Sequence, residues 1–359
     1  MTSSSGILGS LILKSSLGIK YIGNCGYERP LLFADNSCSP TNPIRNLVNA
    51  FVPFSPRVLA GHYRRENTAL GVNSNMSVTN AAPRTQEANV PFNPVLEGLL
   101  VKEREAQLKL QALHSPPVTP VKVDRLDNFL KNGYDSVLRQ YLIDSFRFGF
   151  QINFVGERVV SECSNLKSAL TQPDITATKI RKECDAGRIV GPFTTPPFRN
   201  FPTSPLGLVP KKDPNEYRLI HHLSYPEGSS VNNFIPDSCA TVRYASIGDA
   251  SKSIKRIGRG CFITKTDIKS AFRIIPIHPA DYSLLGMKWD NMYYFDRCLA
   301  MGLRSSCAIF EAFSTSLEWI SIHLFRACSV LHILDDFLFV APTEDQCKRD
   351  LNNCKFEFA

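Results

Sequence analysis

Two adjacent aspartates interrupt an apolar run near the end of the sequence, in the segment LHILDDFLFVAP. Asp335 and Asp336 follow the largely apolar residues 331–334 and precede the apolar residues 337–340. Desolvating two neighbouring carboxylates is costly, so they are expected where the apolar chain leaves the core. The segment therefore predicts two short strands joined by an acidic turn, although this turn lacks the glycine or asparagine that tight hairpins favour.

A divalent cation bound at this turn would relieve the repulsion between the two carboxylates. The alternative is an ordinary exposed turn that carries aspartates. A third acidic residue, Asp267, ends the apolar strand that begins at Phe262 in FITKTDIKSAF. Taken alone, it could be a strand-end aspartate that caps the following turn. Beside Asp335 and Asp336, it would help to hold two Mg²⁺ ions about 4 Å apart, an arrangement that serves phosphoryl transfer.

The character of the chain changes near Asp124. Residues 1 to about 95 are rich in Ser, Asn, Pro and Gly, and we expect little stable structure there. One short helix is predicted over residues 96–112. After Asp124, segments with helical spacing alternate with short extended ones, among them FQINF as a predicted strand. This mixture predicts an α+β domain with an antiparallel sheet.

Local patterns also predict the elements around the aspartates. The segments LGLVPKK and EYRLIHHLS should form a hairpin across residues 213–215, and LLGMKWDNMYYFDRCL should form one that turns at residues 290–291. CFITKTDI is a predicted strand. The segment SSCAIFEAFSTSLEWISIHLF should be a long helix with Ser305 or Ser306 at its N-cap.

Composition limits the partners and the compartment. The formal net charge of +8 favours a polyanion partner, although an ordinary solvated surface explains it equally well. The 11 cysteines form no CxxC pair, so we expect reduced thiols in an intracellular protein of the cytoplasm or nucleus. No apolar run reaches the roughly 18 residues of a spanning helix, and no basic segment precedes the first apolar stretch, so neither a membrane partner nor a signal peptide is expected.

Four motifs in order resemble those of reverse transcriptases. TDIKSAF, AMGLRSSCAIF and HILDDFLF follow the order of the palm motifs, and SPLGLVPKKDPNEYRLIHHLSYPEGSSVN is similar to the fingers hairpin. Together with RIIPIHPADYSLLGMKW, these segments most resemble the reverse transcriptases of DIRS-type, tyrosine-recombinase retrotransposons. Ty3-type elements are related to these. The resemblance covers about residues 120–357. It implies a right-hand polymerase palm, an antiparallel sheet packed on helices, with a fingers subdomain and no thumb.

The resemblance implies roles for individual residues. Asp267, Asp335 and Asp336 would be catalytic residues and ligands of two Mg²⁺ or Mn²⁺ ions. Lys211 and Arg218 fall on the positions that hold the triphosphate of the incoming dNTP, where an ammonium and a guanidinium suit phosphate oxygens. Without the other motifs, lysines in a hairpin turn are usually just solvated.

Three further positions follow from the same resemblance. Phe272 falls where the family places a bulky side chain that excludes a ribose 2′-hydroxyl, with a core phenylalanine as the alternative. Gly302 belongs to the nucleotide-binding loop and permits close backbone approach, and Arg304 could face the template phosphates. Ala300 and Cys307 stand where many relatives have proline, so this loop departs from the commoner pattern.

The implied function is RNA-directed DNA polymerase activity, a two-metal nucleotidyl transfer from dNTP to a primer 3′-hydroxyl on an RNA or DNA template. We expect a low-order region at 1–115, a helical lead-in at 116–200, fingers at 201–260 and an incomplete palm at 261–359. Because the family's palm continues into further strands and a thumb, this polypeptide alone is expected to have weak or no activity. The alternative is a non-catalytic retroelement remnant or an adopted nucleic-acid-binding module.

Overall fold

The structure of the protein is a computed structural model. It describes residues 13–14, 20–21, 94–115, 117–211, 213 and 216–358. The chain divides into two compact units, residues 1–50 with 105–359, and residues 51–104. Of the second unit, the structure describes residues 94–104, the first part of helix α1 (Pro94–His114). Most of the region predicted to have low order lies outside the described residues.

The remaining elements follow in chain order. The helices are α2 (Val123–Leu130), α3 (Ser136–Phe148), α4 (Lys167–Leu170), α5 (Pro173–Asp185), α6 (Ile247–Ile257), α7 (Ser306–His323) and α8 (Glu344–Phe358). The strands are β1 (Leu13–Lys14), β2 (Lys20–Tyr21), β3 (Ile189–Phe193), β4 (Leu206–Pro210), β5 (Tyr217–His221), β6 (Phe262–Ile268), β7 (Gly286–Trp289), β8 (Met292–Asp296), β9 (Val330–Ile333) and β10 (Asp336–Ala341). This mixture of helices and antiparallel strands confirms the predicted α+β class.

The main sheet has the strand order β1-β6-β10-β9, with β2 also paired to β6, and its pairings are antiparallel. Helix α7 packs on β9, and α8 packs on β6 and β10. Alternation decides which side chains face these helices. Phe337 and Phe339 of β10 are buried with Thr264 and Thr266 of β6. The residues between them therefore lie on the opposite face of the sheet.

The chain also forms a second sheet, β3-β8-β7, and a separate hairpin, β4-β5. Between β7 and β8, Asp290 and Asn291 have φ of 49° and 58°, as a two-residue turn with two left-handed positions requires, and the predicted hairpin is confirmed. The β4-β5 hairpin is confirmed as well, although residues 214–215 of its turn lie outside the described residues. Strand β3, from the predicted lead-in, pairs with β8, so long-range pairing ties the lead-in to the segment that carries the main sheet.

One predicted strand is wrong. Phe150 to Phe154 form no ladder, and Phe150 makes an isolated bridge to Ile277 instead. Asn153 has a φ of 65°, which breaks the extended conformation that a strand needs. The apolar residues of this segment are nevertheless buried, because Phe150 and Ile152 pack into the main core. The segment is thus buried in the core without being a strand.

Among the described residues, we find no helix with both the length and the apolar character needed to cross a bilayer.

Candidate metal centre

The acidic turn is a two-residue loop between β9 and β10. The register pairs Ile333 with Asp336, which leaves Leu334 and Asp335 as the loop. Leu334 has a φ of 54°, a conformation that costs a residue other than glycine about 1–3 kcal/mol. The predicted pair of strands around an acidic turn is confirmed. The strain at Leu334 shows that neighbouring contacts hold the loop in this form.

Strand register brings the third aspartate to the same end of the sheet. Asp336 lies opposite Asp267 in the antiparallel pairing of β10 with β6. The Ile268 N–H donates to the Asp335 carbonyl oxygen at 3.0 Å. Directly opposed residues have Cα atoms about 4.5–5.5 Å apart. Asp267, Asp335 and Asp336 therefore meet, although the first two lie 68 positions apart in sequence.

The electrostatics of this end of the sheet are those of crowded carboxylates. Burial raises the pKa of Asp335 above its usual range, and the charges of Asp336 and Asp267 raise it further. Oδ1 of Asp267 is buried and has no hydrogen-bond partner among the described residues. A hard divalent cation prefers carboxylate oxygens. It would offset the repulsion among these carboxylates and also give Asp267 Oδ1 a partner. Asp267 and Asp335 thus fit Mg²⁺ or Mn²⁺ by donor type and by unsatisfied charge.

Asp336 differs from the other two aspartates. Its Oδ1 lies 2.8 Å from Nζ of Lys265, and both side chains are about half exposed. Lys265 lies on the same face of β6 as Asp267, two residues earlier, and its charge neutralises Asp336. Within the described ranges, no three acidic, histidine or cysteine side chains are arranged around one ion position. Asp267 and Asp335 could therefore still bind a cation, whereas Asp336 is already paired with a lysine.

Phe272 lies in the short 3₁₀ helix Ala271–Ile274, directly after β6. The preceding residue, Ser270, has a φ of 58°, so the chain turns sharply away from the sheet. The Phe272 ring is partly buried and meets Phe310 edge to face, with ring centroids 5.7 Å apart. One edge of the ring therefore packs on the core, and the side chain is close in sequence to Asp267.

The turn that carries Phe272 is anchored by Arg273, which sequence analysis did not single out. The Arg273 guanidinium donates to Glu183 at 2.8 Å, to Asp296 at 2.6 Å and to the Leu299 carbonyl at 3.1 Å. Glu183 also accepts two bonds from Arg188. The sequence carries no signal for this network, because its members come from α5, β8 and the turn after β6.

The two predicted triphosphate contacts lie on the β4-β5 hairpin. Lys211 is exposed, and its Nζ lies 2.7 Å from Glu216 across the hairpin. Arg218 is exposed on β5, opposite Val209. It has no hydrogen-bond or ionic partner within the part of the chain that the structure describes. Arg218 thus presents an unpaired guanidinium, whereas Lys211 would have to exchange its bond to Glu216 for a phosphate.

Gly302 does permit a close backbone approach, but its neighbour is the backbone of another segment of the same chain. Its φ is 120°, and a Cβ at this position would overlap the carbonyl oxygen of His221 on β5. The loop is held from both sides, because the His221 N–H donates to Met301 at 3.1 Å and Asn232 Nδ2 donates to Gly302 at 2.7 Å. Asn232, a buried residue that sequence analysis missed, thereby fixes this loop against β5.

Arg304 makes internal contacts instead of lying free in solvent. Its guanidinium is ion-paired with Asp237 and donates to the carbonyl oxygens of Asn232 at 3.4 Å and Ile235 at 3.3 Å. The Arg304 N–H donates to Asn232 Oδ1 at 2.8 Å. A contact with a template phosphate would therefore have to displace Asp237.

Behind the acidic turn lies a set of polar groups that sequence analysis also missed, the Glu–His–Glu cluster of buried Glu311 and His332 with partly exposed Glu318. Burial by itself lowers the pKa of His332, but the close contacts and charges of Glu311 and Glu318 outweigh it and raise this pKa to about 9. A glutamate inside the apolar run AIFEAF is the one local signal that could have pointed to this cluster.

Comparisons with known proteins find structural similarity over part of this chain. No protein-family model and no curated protein matches the sequence. The native prototype foamy virus protease-reverse transcriptase shares 20% identity over 56% of this chain and 24% of its own, with a TM-score of 0.39. The foamy viral protease-reverse transcriptase complex with RNA/DNA hybrid shares 16% identity over 66% of this chain and 32% of its own, with a TM-score of 0.41. The complex of the dRH form with double-stranded DNA shares 14% identity over 65% of this chain and 41% of its own, with a TM-score of 0.40. The chain therefore spans less than half the length of these structures.

Proposed function

We propose that this chain is the fingers-and-palm portion of an RNA-directed DNA polymerase, of the type found in DIRS-like, tyrosine-recombinase retrotransposons related to Ty3-type elements. The reaction is nucleotidyl transfer, in which a primer 3′-hydroxyl attacks the α-phosphate of a dNTP in line and pyrophosphate leaves. The observation that carries the proposal is the β6-β10 register, which sets Asp267 beside the turn that holds Asp335. The order of the sequence motifs supports the same assignment.

Asp267 and Asp335 are the residues that would hold the metal ions. When bound, two Mg²⁺ or Mn²⁺ ions would favour the ionised primer hydroxyl and neutralise charge on the departing pyrophosphate. Asp336 takes a supporting part, because its pairing with Lys265 limits its capacity to bind an ion.

Substrate contacts come from the surrounding elements. Arg218 and Lys211 bind the triphosphate from the β4-β5 hairpin, and the Phe272 ring excludes a ribose 2′-hydroxyl. The loop of Gly302 supports the nucleotide, and Arg304 contacts the template after release from Asp237. Most contacts to template and primer are with the nucleic-acid backbone, so binding weakens as salt rises. The reduced cysteines fit an intracellular site in the cytoplasm or nucleus.

The first test measures metal binding through stability. Saturating Mn²⁺, at about 100 times its Kd, should stabilise the wild-type chain by about 2.7 kcal/mol. The Asp335→Asn variant should lose this gain, because it lacks one ligand. Without metal, the same variant should unfold at a higher temperature than wild type, since it removes a partly buried charge that Asp267 and Asp336 repel. Thermal unfolding with and without Mn²⁺ measures both effects, and Asp185→Asn, at an exposed position of α5, serves as the matched control.

The second test measures chemistry. Single-turnover incorporation of dTTP on poly(rA)/oligo(dT), with the chain in excess over the duplex, compensates for weak binding of the duplex. Asp335→Asn and Asp267→Asn should each lower the rate at least about tenfold, as loss of a metal ligand removes transition-state stabilisation. Incorporation that survives both substitutions would refute the assigned site.

A second candidate function is a folded, non-catalytic nucleic-acid-binding module. The observation in its favour is that Asp336 is paired with Lys265, with no three-ligand group in the described ranges. This candidate predicts salt-dependent binding of duplexes, no metal-linked stabilisation and no incorporation. The Mn²⁺ unfolding experiment therefore separates the two functions.

A further inference from the structure

Besides the Ile268 N–H bond to the Asp335 carbonyl, the strained turn at the candidate metal centre has a side-chain support from outside its own hairpin. The Leu334 N–H donates to Glu311 Oε2 at 3.2 Å. Glu311 belongs to helix α7, which packs behind β9. A bond to an ionised acceptor is roughly twice as strong as one between neutral groups. It is made at Leu334, the loop residue with positive φ, next to Asp335.

Glu311 needs a positive partner, because an isolated buried carboxylate is costly. It is 8% exposed, and its Oε1 lies 3.2 Å from Nε2 of His332, an ion-pair contact whose angle falls outside that of a hydrogen bond. His332 is equally buried. Its other ring nitrogen, Nδ1, bonds to Glu318. The imidazole thus lies between two carboxylates of the same helix.

The His332 ring is also held by packing. It stacks on the Phe337 ring, with centroids 5.5 Å apart and planes 24° apart. These residues are direct neighbours across β9 and β10. The ring, and with it the position of Glu311, is therefore fixed by the hairpin that bears the acidic turn. Helix α7 and the turn are coupled twice, once through His332 and once through the Leu334 N–H.

We propose that Glu311, held by His332, is a positioning residue that fixes the Leu334–Asp335 turn and so places the Asp335 carboxylate beside Asp267. The contact with Leu334 stands on the structure alone, and its consequence for metal binding rests on the proposed function. Glu311 itself touches neither metal nor substrate. Its contribution is to keep the metal-binding carboxylates close enough to share an ion.

The test compares two glutamates that share His332 but differ in contact with the turn. Glu311→Ala removes the acceptor of the Leu334 N–H, whereas Glu318→Ala removes the other carboxylate and leaves that bond intact. Glu311→Gln keeps an oxygen that can accept the bond but lacks the charge. Amide hydrogen exchange at Leu334, followed by NMR, reports the bond directly. The Mn²⁺ concentration for half-maximal thermal stabilisation reports its consequence.

Glu311→Ala should accelerate Leu334 exchange and raise the half-maximal Mn²⁺ concentration about tenfold or more, as for other groups that orient metal ligands. Glu311→Gln should restore much of the metal affinity. Glu318→Ala should lower stability without moving either readout, because its partner His332 does not contact the Leu334 amide. A merely structural role for Glu311 would reduce the stability of both alanine variants and leave the Mn²⁺ midpoint unchanged.

Three outcomes would overturn the proposal. Leu334 exchange that is the same in wild type and Glu311→Ala would show that the bond does not hold the turn. A Mn²⁺ midpoint unchanged in Glu311→Ala, despite faster Leu334 exchange, would show that the bond does not position Asp335. Equal shifts in Glu311→Ala and Glu318→Ala would assign the effect to general loss of the Glu–His–Glu cluster. By contrast, a wild-type chain that shows no Mn²⁺ response, with Leu334 exchange as expected, would refute the proposed function and leave the bond itself established.

Discussion

Replacing Arg273 by methionine should lower the free energy of unfolding by about 3–5 kcal/mol, the cost of breaking a buried ion pair by removing one partner. The guanidinium is 15% exposed and neutralises Glu183 and Asp296, of which Asp296 is 4% exposed. Methionine fills a similar volume but leaves Asp296 buried without the Arg273 guanidinium, with His221 Nδ1 3.4 Å away. The same substitution frees the turn that carries Phe272.

Urea unfolding measures this loss, and Arg147→Met provides the matched control. Arg147 is ion-paired with Asp124, and the two side chains are 43% and 90% exposed. Exposed pairs contribute about 0–1 kcal/mol. A loss for Arg273→Met no larger than that for Arg147→Met would mean that solvent reaches the network.

Acid titration gives a second readout of the same network. Burial alone raises the pKa of Glu183, but the Arg188 hydrogen bonds and the charges of Arg273 and Arg188 outweigh it and lower this pKa to about 2. A carboxyl with a folded-state pKa below its unfolded value of about 4.3 stabilises the protein above that value. This stability is lost as pH falls from about 4.3 towards 2. In Arg273→Met the loss over this window should be smaller than in wild type.

Replacing Gly302 by alanine should lower the free energy of unfolding by at least about 2 kcal/mol, from an unfavourable backbone conformation and an overpacked contact together. The φ of 120° disfavours any residue with a side chain. The added Cβ would also overlap the carbonyl oxygen of His221. To relieve the overlap, the loop after β8 must move away from β5, and the Asn232 bond to Gly302 would lengthen.

Gly258→Ala separates the two contributions. Gly258 has a φ of 109°, near that of Gly302, but a Cβ there would meet nothing within 4 Å. This control should show the backbone contribution alone, so the difference between the two alanine variants measures the close approach. Equal losses in urea unfolding would show that the loop and β5 are further apart than the structure has them.

Local patterns were enough to predict most elements near the candidate site. The apolar runs on both sides of Asp335 and Asp336 predicted β9, the turn and β10, since burial alternates along a strand and charge accumulates where a strand leaves the core. The turn at residues 290–291 and the long helix α7 follow from equally local chemistry. FQINF failed as a strand because its backbone groups bond to separate loops, which no local pattern records.

The elements, and the acidic residues at their ends, can be read from the amino-acid sequence alone. Which charges meet is a property of the folded chain. It pairs Asp336 with Lys265, leaves Asp267 Oδ1 without a hydrogen-bond partner among the described residues, and sets Glu311 against the turn of Asp335. The physical reason is that periodicity tells which face of an element is buried, whereas ionic and hydrogen-bond partners depend on strand register and on helices that pack from distant parts of the chain.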